Sequence, residues 1–386
     1  MGHILLILFY FLFPVLVIYL DKRSKLVNRS GPVVICYGMG LLVGNIGLLP
    51  DRILNFQNTF GFICIFIAIP LVLFSLDIRK WIKLADKTFL SLILGLASVI
   101  ITAFIGYYLW RDVISDIWQV AGVLVGYYSG GQPNAAAISV ALGMENERFL
   151  LTQTYDIGVG AVTLLFIMTV AQRFFLLFMR PYTPDDHEEV QDPMENFHEK
   201  YESYDKILKK RILLPLLAAT GLSIVFFGIS AGLSQLLLKR SSMIIIVLGI
   251  TTLGIVASFV PGIKNIDKSF QGGLYLILVF CLVIASTSDI SMFVRLESLP
   301  ILYYVILVVP GALLLHGILS WMFRIDVDNF LIISVALSMS PPFVPVVASS
   351  LKNRNIILPG MIIGLVGYAI GNYLGIAIGS LIHLMI

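Results

Sequence analysis

Gly126-Tyr127-Tyr128-Ser129-Gly130-Gly131-Gln132-Pro133-Asn134-Ala135-Ala136-Ala137 lies inside an apolar segment, from about 117 to 143, that otherwise reads as a membrane-spanning helix. Gly130, Gly131 and Pro133 predict a break there, because glycine favours unwound backbone and proline lacks an N–H donor. Lipid offers nothing to free backbone groups, so a break at membrane depth survives only when buried in protein or lining a wet cavity. Gln132 and Asn134 bring amide donors and acceptors to the same place. The second half of the chain carries a counterpart, Leu337-Ser338-Met339-Ser340-Pro341-Pro342-Phe343-Val344-Pro345, inside the apolar segment 329–351. Interrupted hydrophobic segments at corresponding places in two halves are the sequence pointer to the binding site of a secondary transporter.

Composition sets the class. The chain has 386 residues, 58% of them hydrophobic and 13% charged, with a mean hydropathy of +0.95. This is a multi-spanning membrane protein, since the longest polar interval, 181–211, is too short for a soluble domain. A net charge of +3 and the absence of a basic tract argue against nucleic acid as a partner. Cys36, Cys64 and Cys281 sit in apolar segments without paired spacing and read as small core residues. The first apolar run lacks a basic start and a small-residue cleavage site, so it is expected to be retained as a span.

Twelve apolar runs follow along the chain, and the expected fold is an all-α polytopic membrane protein of about 12 transmembrane helices (11–13). The runs fall at roughly 4–20, 32–49, 58–76, 88–109, 117–143 and 149–179, then 212–237, 242–262, 272–291, 299–323, 329–351 and 356–386. This gives two structurally repeated halves, 1–180 and 212–386, each with one discontinuous, crossing helix, joined by a polar linker at 181–211. Lys22, Arg23, Lys25 and Arg29 after the first run, and Arg79, Lys80, Lys83 and Lys87 after the third, place those loops in the cytoplasm and the N-terminus outside. Strict alternation of twelve spans gives both broken helices one orientation, whereas an inverted repeat needs an odd offset. The span count therefore stays open, with the run 149–179, interrupted by Asp156 and Arg173, the one in question. The linker is acidic first and basic last and reads as a solvated connector. His187 and His198 show no metal-ligand spacing.

Each broken segment leads through a short polar link into a glycine-bearing helix with a polar residue inside it: Asp156 in the first half and Asn372 in the second. Packing explains the glycines. It does not explain Asp156, which lies ~12 Å into its helix counted from Arg148. A carboxylate in a span marks an ion or proton path unless it is paired, and Arg148 is the neighbour that would pair it.

Tyr128-Ser129-Gly130-Gly131 with Asn134, Ala135 and Ala136, then Ala141-Leu142-Gly143 and the Asp156 helix, resembles the YjcL-like (DUF 819) family of bacterial integral membrane proteins. Pro341-Pro342 and the stretch from Leu358-Pro359-Gly360 to Gly367-Tyr368-Ala369-Ile370-Gly371-Asn372-Tyr373-Leu374-Gly375 resemble it too. The likeness covers nearly the whole chain, and these two stretches carry it. It supplies no substrate, but it is more distantly similar to glutamate–sodium and bile-acid–sodium symporters, which implies a core domain with two crossing discontinuous helices moving against a scaffold. Gln132-Pro133 departs from the serine-valine type of pair more usual after the glycines, which leaves the substrate contacts open.

A nucleotide-driven pump or cofactor enzyme would need a phosphate-cradling glycine loop ahead of a soluble helix, which is missing. An intramembrane protease would need a Ser–His pair or two intramembrane aspartates, and His316 shows no serine partner nearby in sequence. A channel would show rows of like polar residues. The expected function is therefore a secondary active transporter in the bacterial inner membrane: Na⁺-coupled symport of a small, anionic organic solute, with no enzymatic activity and no cofactor beyond Na⁺ as coupling ion. Na⁺ or K⁺/proton antiport on the same core is the alternative. Helix N-termini near Asn134 and Val344 suit an anionic group. Ser129, Gly130, Gly131, Gln132, Asn134, Ser340 and Pro342 are the expected substrate contacts. Asp156, Asn134, Ser338 and Asn372 are the expected cation ligands, since a hard cation takes oxygen ligands. By analogy with moving-core transporters, a homodimer through scaffold helices is expected.

Overall fold

The computed structural model describes residues 2–23, 31–46, 54–76, 86–183, 204, 207, 209–238, 242–291, 298–339, 341, 343–353 and 355–385. Apart from an isolated Arg180–Asp326 bridge, the regular structure among them is helical. In chain order the helices are α1 (Gly2–Asp21), α2 (Pro32–Asn45), α3 (Leu54–Phe74), α4 (Asp86–Trp110), α5 (Ile117–Ala141) and α6 (Asn146–Phe166), the last running on through a π-helical turn at Ile167–Ala171 to Phe175. The second half gives α7 (Lys210–Leu238), α8 (Met243–Ser258), α9 (Ser269–Ser286), α10 (Leu299–Met322), α11 (Val327–Ser338), α12 (Phe343–Ser350) and α13 (Ile357–His383). The polar linker falls largely outside the described residues.

Seven of these helices are long and apolar enough to cross a membrane: α3, α4, α6 with its continuation, α7, α9, α10 and α13. Four more apolar helices are shorter, at Leu5–Asp21, Pro32–Asn45, Met243–Ser258 and Val327–Ser338. The remaining apolar run is α5, which is long enough but diluted by its polar centre. Among the described residues, seven of the twelve expected runs thus meet the length and apolarity of a full span.

Two packing groups emerge. Helices α1–α3 lie with α7–α9, while α4–α6 lie with α10–α13. In the first group Gly40 and Gly44 of α2 approach the α9 backbone at Leu282 and Ser286, and Gly273 of α9 approaches α3 at Ala68 and Val72. Tyr10, Gln57 and Ser286 close a buried hydrogen-bonded triangle between α1, α3 and α9, with Gln57 Nε2 donating to Tyr10 Oη at 2.7 Å and to Ser286 Oγ at 2.9 Å. At the link before α6, Asn146 Nδ2 donates to Asn58 Oδ1 at 2.6 Å and Thr287 Oγ1 at 3.0 Å, tying the two groups at one end.

In the second group the principal pairing is α5 with α13. Gly122, Gly126 and Gly130 recur every four residues along α5, and Gly367, Gly371, Gly375 and Gly379 do so along α13. The two rows face each other: Gly122 meets the Gly375 carbonyl and Gly379, Gly126 the Gly371 carbonyl, and Gly130 the Gly367 carbonyl. Helices in lipid gain nothing from the hydrophobic effect between them, so small residues that admit close backbone contact set the pairing.

Candidate functional site

Helix α5 breaks at Gly130 (φ −150°, ψ 17°) and Gly131 (φ 71°, ψ −165°). The second pair of angles lies in a region open essentially to glycine alone, which is why the sequence needs Gly131 there. The helix resumes at once. Pro133 therefore sits in the first turn of the second half-helix, where its missing N–H would have had no partner anyway. The glycines make the break, and the proline starts the next segment.

The second interruption follows from capping and proline. Asp326 caps α11, its carboxylate accepting from Asn329 N at 2.9 Å. The helix stops at Ser338, just before Pro341-Pro342, and α12 begins at Phe343 with Pro345 in its first turn. Two of the expected substrate contacts, Ser340 and Pro342, lie outside the described residues. Helix α11 packs on α5, and Met339 reaches Gly160 of α6.

Asp156 is buried, 2% exposed, and accepts a hydrogen bond from Tyr128 Oη at 2.5 Å. The Tyr127 hydroxyl also lies against its carboxylate. Arg148 does not pair with it: that guanidinium goes to Asp116 Oδ2 at 3.2 Å, with Gln119 and Ser115. Asp156 has no ion-pair partner among the described residues, so a buried carboxylate sits beside the break held by tyrosine hydroxyls alone. In the most apolar window of α6 and its continuation 22% is buried, and the inward stripe of α6 includes Thr152, Gln153, Asp156, Gly160 and Thr163. A helix otherwise facing lipid has turned a polar edge to the core. Among the described residues, both amide atoms of Gln153 are buried without a hydrogen-bond partner.

The other expected ligands do not converge on one point. Asn134 Nδ2 donates to the Gly367 carbonyl at 3.1 Å, fastening α5 to α13. Gln132 Nε2 donates to Tyr37 Oη at 2.7 Å, and Cys281 Sγ lies 3.9 Å from the same nitrogen. Ser129 Oγ bonds back to the Val125 carbonyl at 2.7 Å. Asn372 Nδ2 donates to Thr251 Oγ1 of α8 at 2.9 Å, and its buried oxygen has no hydrogen-bond partner among the described residues. Ser338 lines a cavity with Tyr128, Thr163, His316 and Ser334.

Sequence reading missed the tyrosines. Tyr37, Tyr127, Tyr128 and Tyr368 gather with Gln132, Cys281 and Asp156 around the break. Tyr127-Tyr128 beside the glycines was the available signal. His316 also gains what its local sequence does not show: Nε2 lies 3.2 Å from Ser91 Oγ and Nδ1 2.8 Å from Ser334 Oγ. These serines come from α4 and α11. Both lie inside continuous helices.

The family model for proteins of unknown function DUF819 matches residues 9–385. The chain belongs to the DUF819 family. Within the similarity so shown, it is 24% identical over 368 residues to the "Uncharacterized membrane protein YjcL" of Bacillus subtilis (strain 168), covering 94% of this chain and 92% of that protein. Family membership and the apolar helices together make this a multi-pass membrane protein. The glycine break, the α5–α13 pairing and Asp156 all lie inside the matched DUF819 region.

Proposed function

We propose that this DUF819 protein is a secondary active transporter of the bacterial inner membrane, coupling a cation, Na⁺ in the first instance, to movement of a small anionic organic solute. The observation that carries the reading is the buried Asp156 carboxylate held against the Gly130–Gly131 break by Tyr128. An unneutralised carboxylate in a span is costly, and one beside unwound backbone is placed where an ion is taken up and released. Proton/cation antiport is the alternative use of the same carboxylate.

Helix pairing supports two repeated halves. Helix α3 packs on α9 and α4 on α10, each on its own counterpart, and the α2–α9 contact is matched by α8 on α3. Pairings of this kind follow from a two-fold relation between halves. The α1–α3 and α7–α9 group is the proposed scaffold, and the group holding both interruptions is the proposed moving core, as in the symporters the sequence resembles. The two half-helix starts, near Gln132 and Phe343, aim free N–H groups at the substrate.

Proteoliposomes loaded with Na⁺-free buffer and given inward NaCl are expected to accumulate one or more labelled carboxylates from a mixed pool. Equal uptake with choline chloride would end the Na⁺ symport reading, and Na⁺-driven alkalinisation of the lumen without solute uptake would establish antiport. Asn134→Ala is expected to lower transport at least tenfold and to cost about 1 kcal/mol of stability, the usual worth of one hydrogen bond. Unchanged uptake in that variant would make Asn134 a packing residue only.

A further inference from the structure

Helix α5 makes contacts across its own break. Gln119 Nε2, near its start, donates to the carbonyl of Leu142, just past its end, at 3.1 Å. A helix rises about 1.5 Å per residue, so a continuous one would hold positions 119 and 142 about 35 Å apart. The Ile138 side chain packs on Gly126 and that of Leu142 on Gly122. The half-helices on either side of Gly130–Gly131 therefore run antiparallel, and α5 ends where it began. Arg148, at the start of α6, reaches back to the residues ahead of α5, Asp116 Oδ2 at 3.2 Å and Ser115 Oγ at 3.0 Å.

Helices α11 and α12 fold back in the same way. Asn353 Nδ2, beyond α12, donates to Asp328 Oδ2 in the first turn of α11 at 2.8 Å. The far end of α6 meets this pair: Gln172 Nε2 donates to Asp328 Oδ1 at 2.8 Å, and Val327 N to the Arg180 carbonyl at 3.1 Å. Helix α6 with its continuation has 30 residues and a length of ~45 Å, enough to cross a bilayer. It starts beside the open end of α5 and finishes beside the open end of α11–α12, so those two ends lie on opposite sides. Both folded-back pairs reach the same interior: Tyr128, just before the α5 tip, and Ser338, at the end of α11, line one cavity.

We propose that α5 and the α11–α12 pair are re-entrant hairpins, α5 entering the membrane from outside and α11–α12 from the cytoplasm, and that the chain crosses the membrane ten times. Each half then has five crossings, which inverts the second half relative to the first and supplies the odd offset an inverted repeat needs. With cytoplasmic loops after α1 and α3, α4 brings the chain to the outside, α5 returns it there, and α6 takes it back to the cytoplasm. Lys209, Lys210 and Arg211 at the start of α7 thereby fall on the cytoplasmic side, where a crossing α5 would have put them outside. The loops assigned to the outside carry, of the chain's 26 lysines and arginines, Arg52, Arg111, Arg148, Lys239, Arg240 and Arg295. The α5 tip is buried in protein, as backbone at this depth must be: Asn134 is bonded to α13 and Gln132 to Tyr37 of α2.

Single loop cysteines and a membrane-impermeant maleimide test this on the full chain, in right-side-out and in inverted membrane vesicles. Cys36, Cys64 and Cys281 are buried, so the unmodified protein is the blank. Asp112→Cys and Glu145→Cys flank α5, Arg324→Cys and Lys352→Cys flank the α11–α12 pair, and Lys210→Cys marks the start of α7; all five positions are exposed. The first two are expected to label at least tenfold faster in right-side-out vesicles, and the other three at least tenfold faster in inverted ones. In detergent all five should label alike, and size-exclusion profiles matching the unmodified protein show that each variant is folded. Opposite sides for Asp112→Cys and Glu145→Cys would make α5 a crossing and overturn the proposal, as would opposite sides for Arg324→Cys and Lys352→Cys. Labelling of both pairs from one side would overturn the inversion of the halves. Lys210→Cys labelled with the α5 pair would overturn the cytoplasmic start of α7.

Discussion

Asp156→Asn is expected to reduce cation-driven transport at least a hundredfold while leaving the protein folded. The asparagine oxygen can accept from Tyr128 Oη as the carboxylate does, and the side chains have nearly the same shape. What the variant loses is the charge. Asp156 is the carboxylate buried beside the break, and among the described residues it has no cationic partner. A buried, unpaired carboxylate destabilises a fold, so removing its charge should leave the melting temperature in ion-free buffer equal to or above that of the unmodified protein. The same change should erase any rise caused by Na⁺, because the charge that would balance the bound ion is gone. Melting curves with and without Na⁺, set beside uptake, separate the two effects. A variant that melts lower than the unmodified protein in ion-free buffer would show that the carboxylate holds the fold together. Uptake above a tenth of the unmodified rate would place the coupling charge elsewhere.

Such a prediction was partly legible in the sequence. Gly130-Gly131 announces a break because few residues tolerate φ 71°, ψ −165°, and an aspartate inside an apolar run is conspicuous against lipid. Helical periodicity also places Gln153, Asp156, Gly160 and Thr163 on one edge of α6. The partner of that edge is a different matter. Nothing local says that Tyr128 turns to Asp156, or that Ser91 and Ser334 close on His316 from α4 and α11. Periodicity identifies a buried face and is silent about what it meets. Asn134 and Asn372 show the same limit: the sequence marks them only as polar residues in apolar segments, and the structure adds that each uses its amide nitrogen to tie its helix to a neighbour. Hydropathy has a related blind spot. Hydropathy treats 117–143 and 329–351 as spans like any other, although unwound backbone or prolines divide them and leave shorter helices.

The largest stability effect is expected at Gly367. A β-carbon there would overlap the Ser129 carbonyl oxygen and approach Gly130 Cα to 3.3 Å, so the obstruction is backbone on a second helix. No rotamer change relieves it. Helix α13 would have to move outward, pulling the Gly367 carbonyl from Asn134 and separating the glycine rows that hold α5 against α13. Overpacking of this kind costs about 1–3 kcal/mol in ordinary cores and more where backbone must shift. Gly367→Ala should therefore lower the melting temperature sharply and reduce the yield of monodisperse protein. Gly228→Ala in α7 is the matched control, since a β-carbon there meets nothing within 4 Å and the residue is exposed. Alanine favours a helix over glycine by roughly 0.5–1 kcal/mol, so the control should hold or raise stability. Gly371→Ala is expected to fall between them. Its β-carbon meets the Asn134 amide and, at 2.9 Å, Ser129 Oγ, side chains that can rotate away at the price of their own hydrogen bonds. The order Gly228, Gly371, Gly367 in rising damage follows from what each β-carbon strikes: open space, side chain, backbone. Equal melting for Gly367→Ala and Gly228→Ala would mean that α5 and α13 do not touch along their glycines, and the break in α5 would lose the surface it rests on.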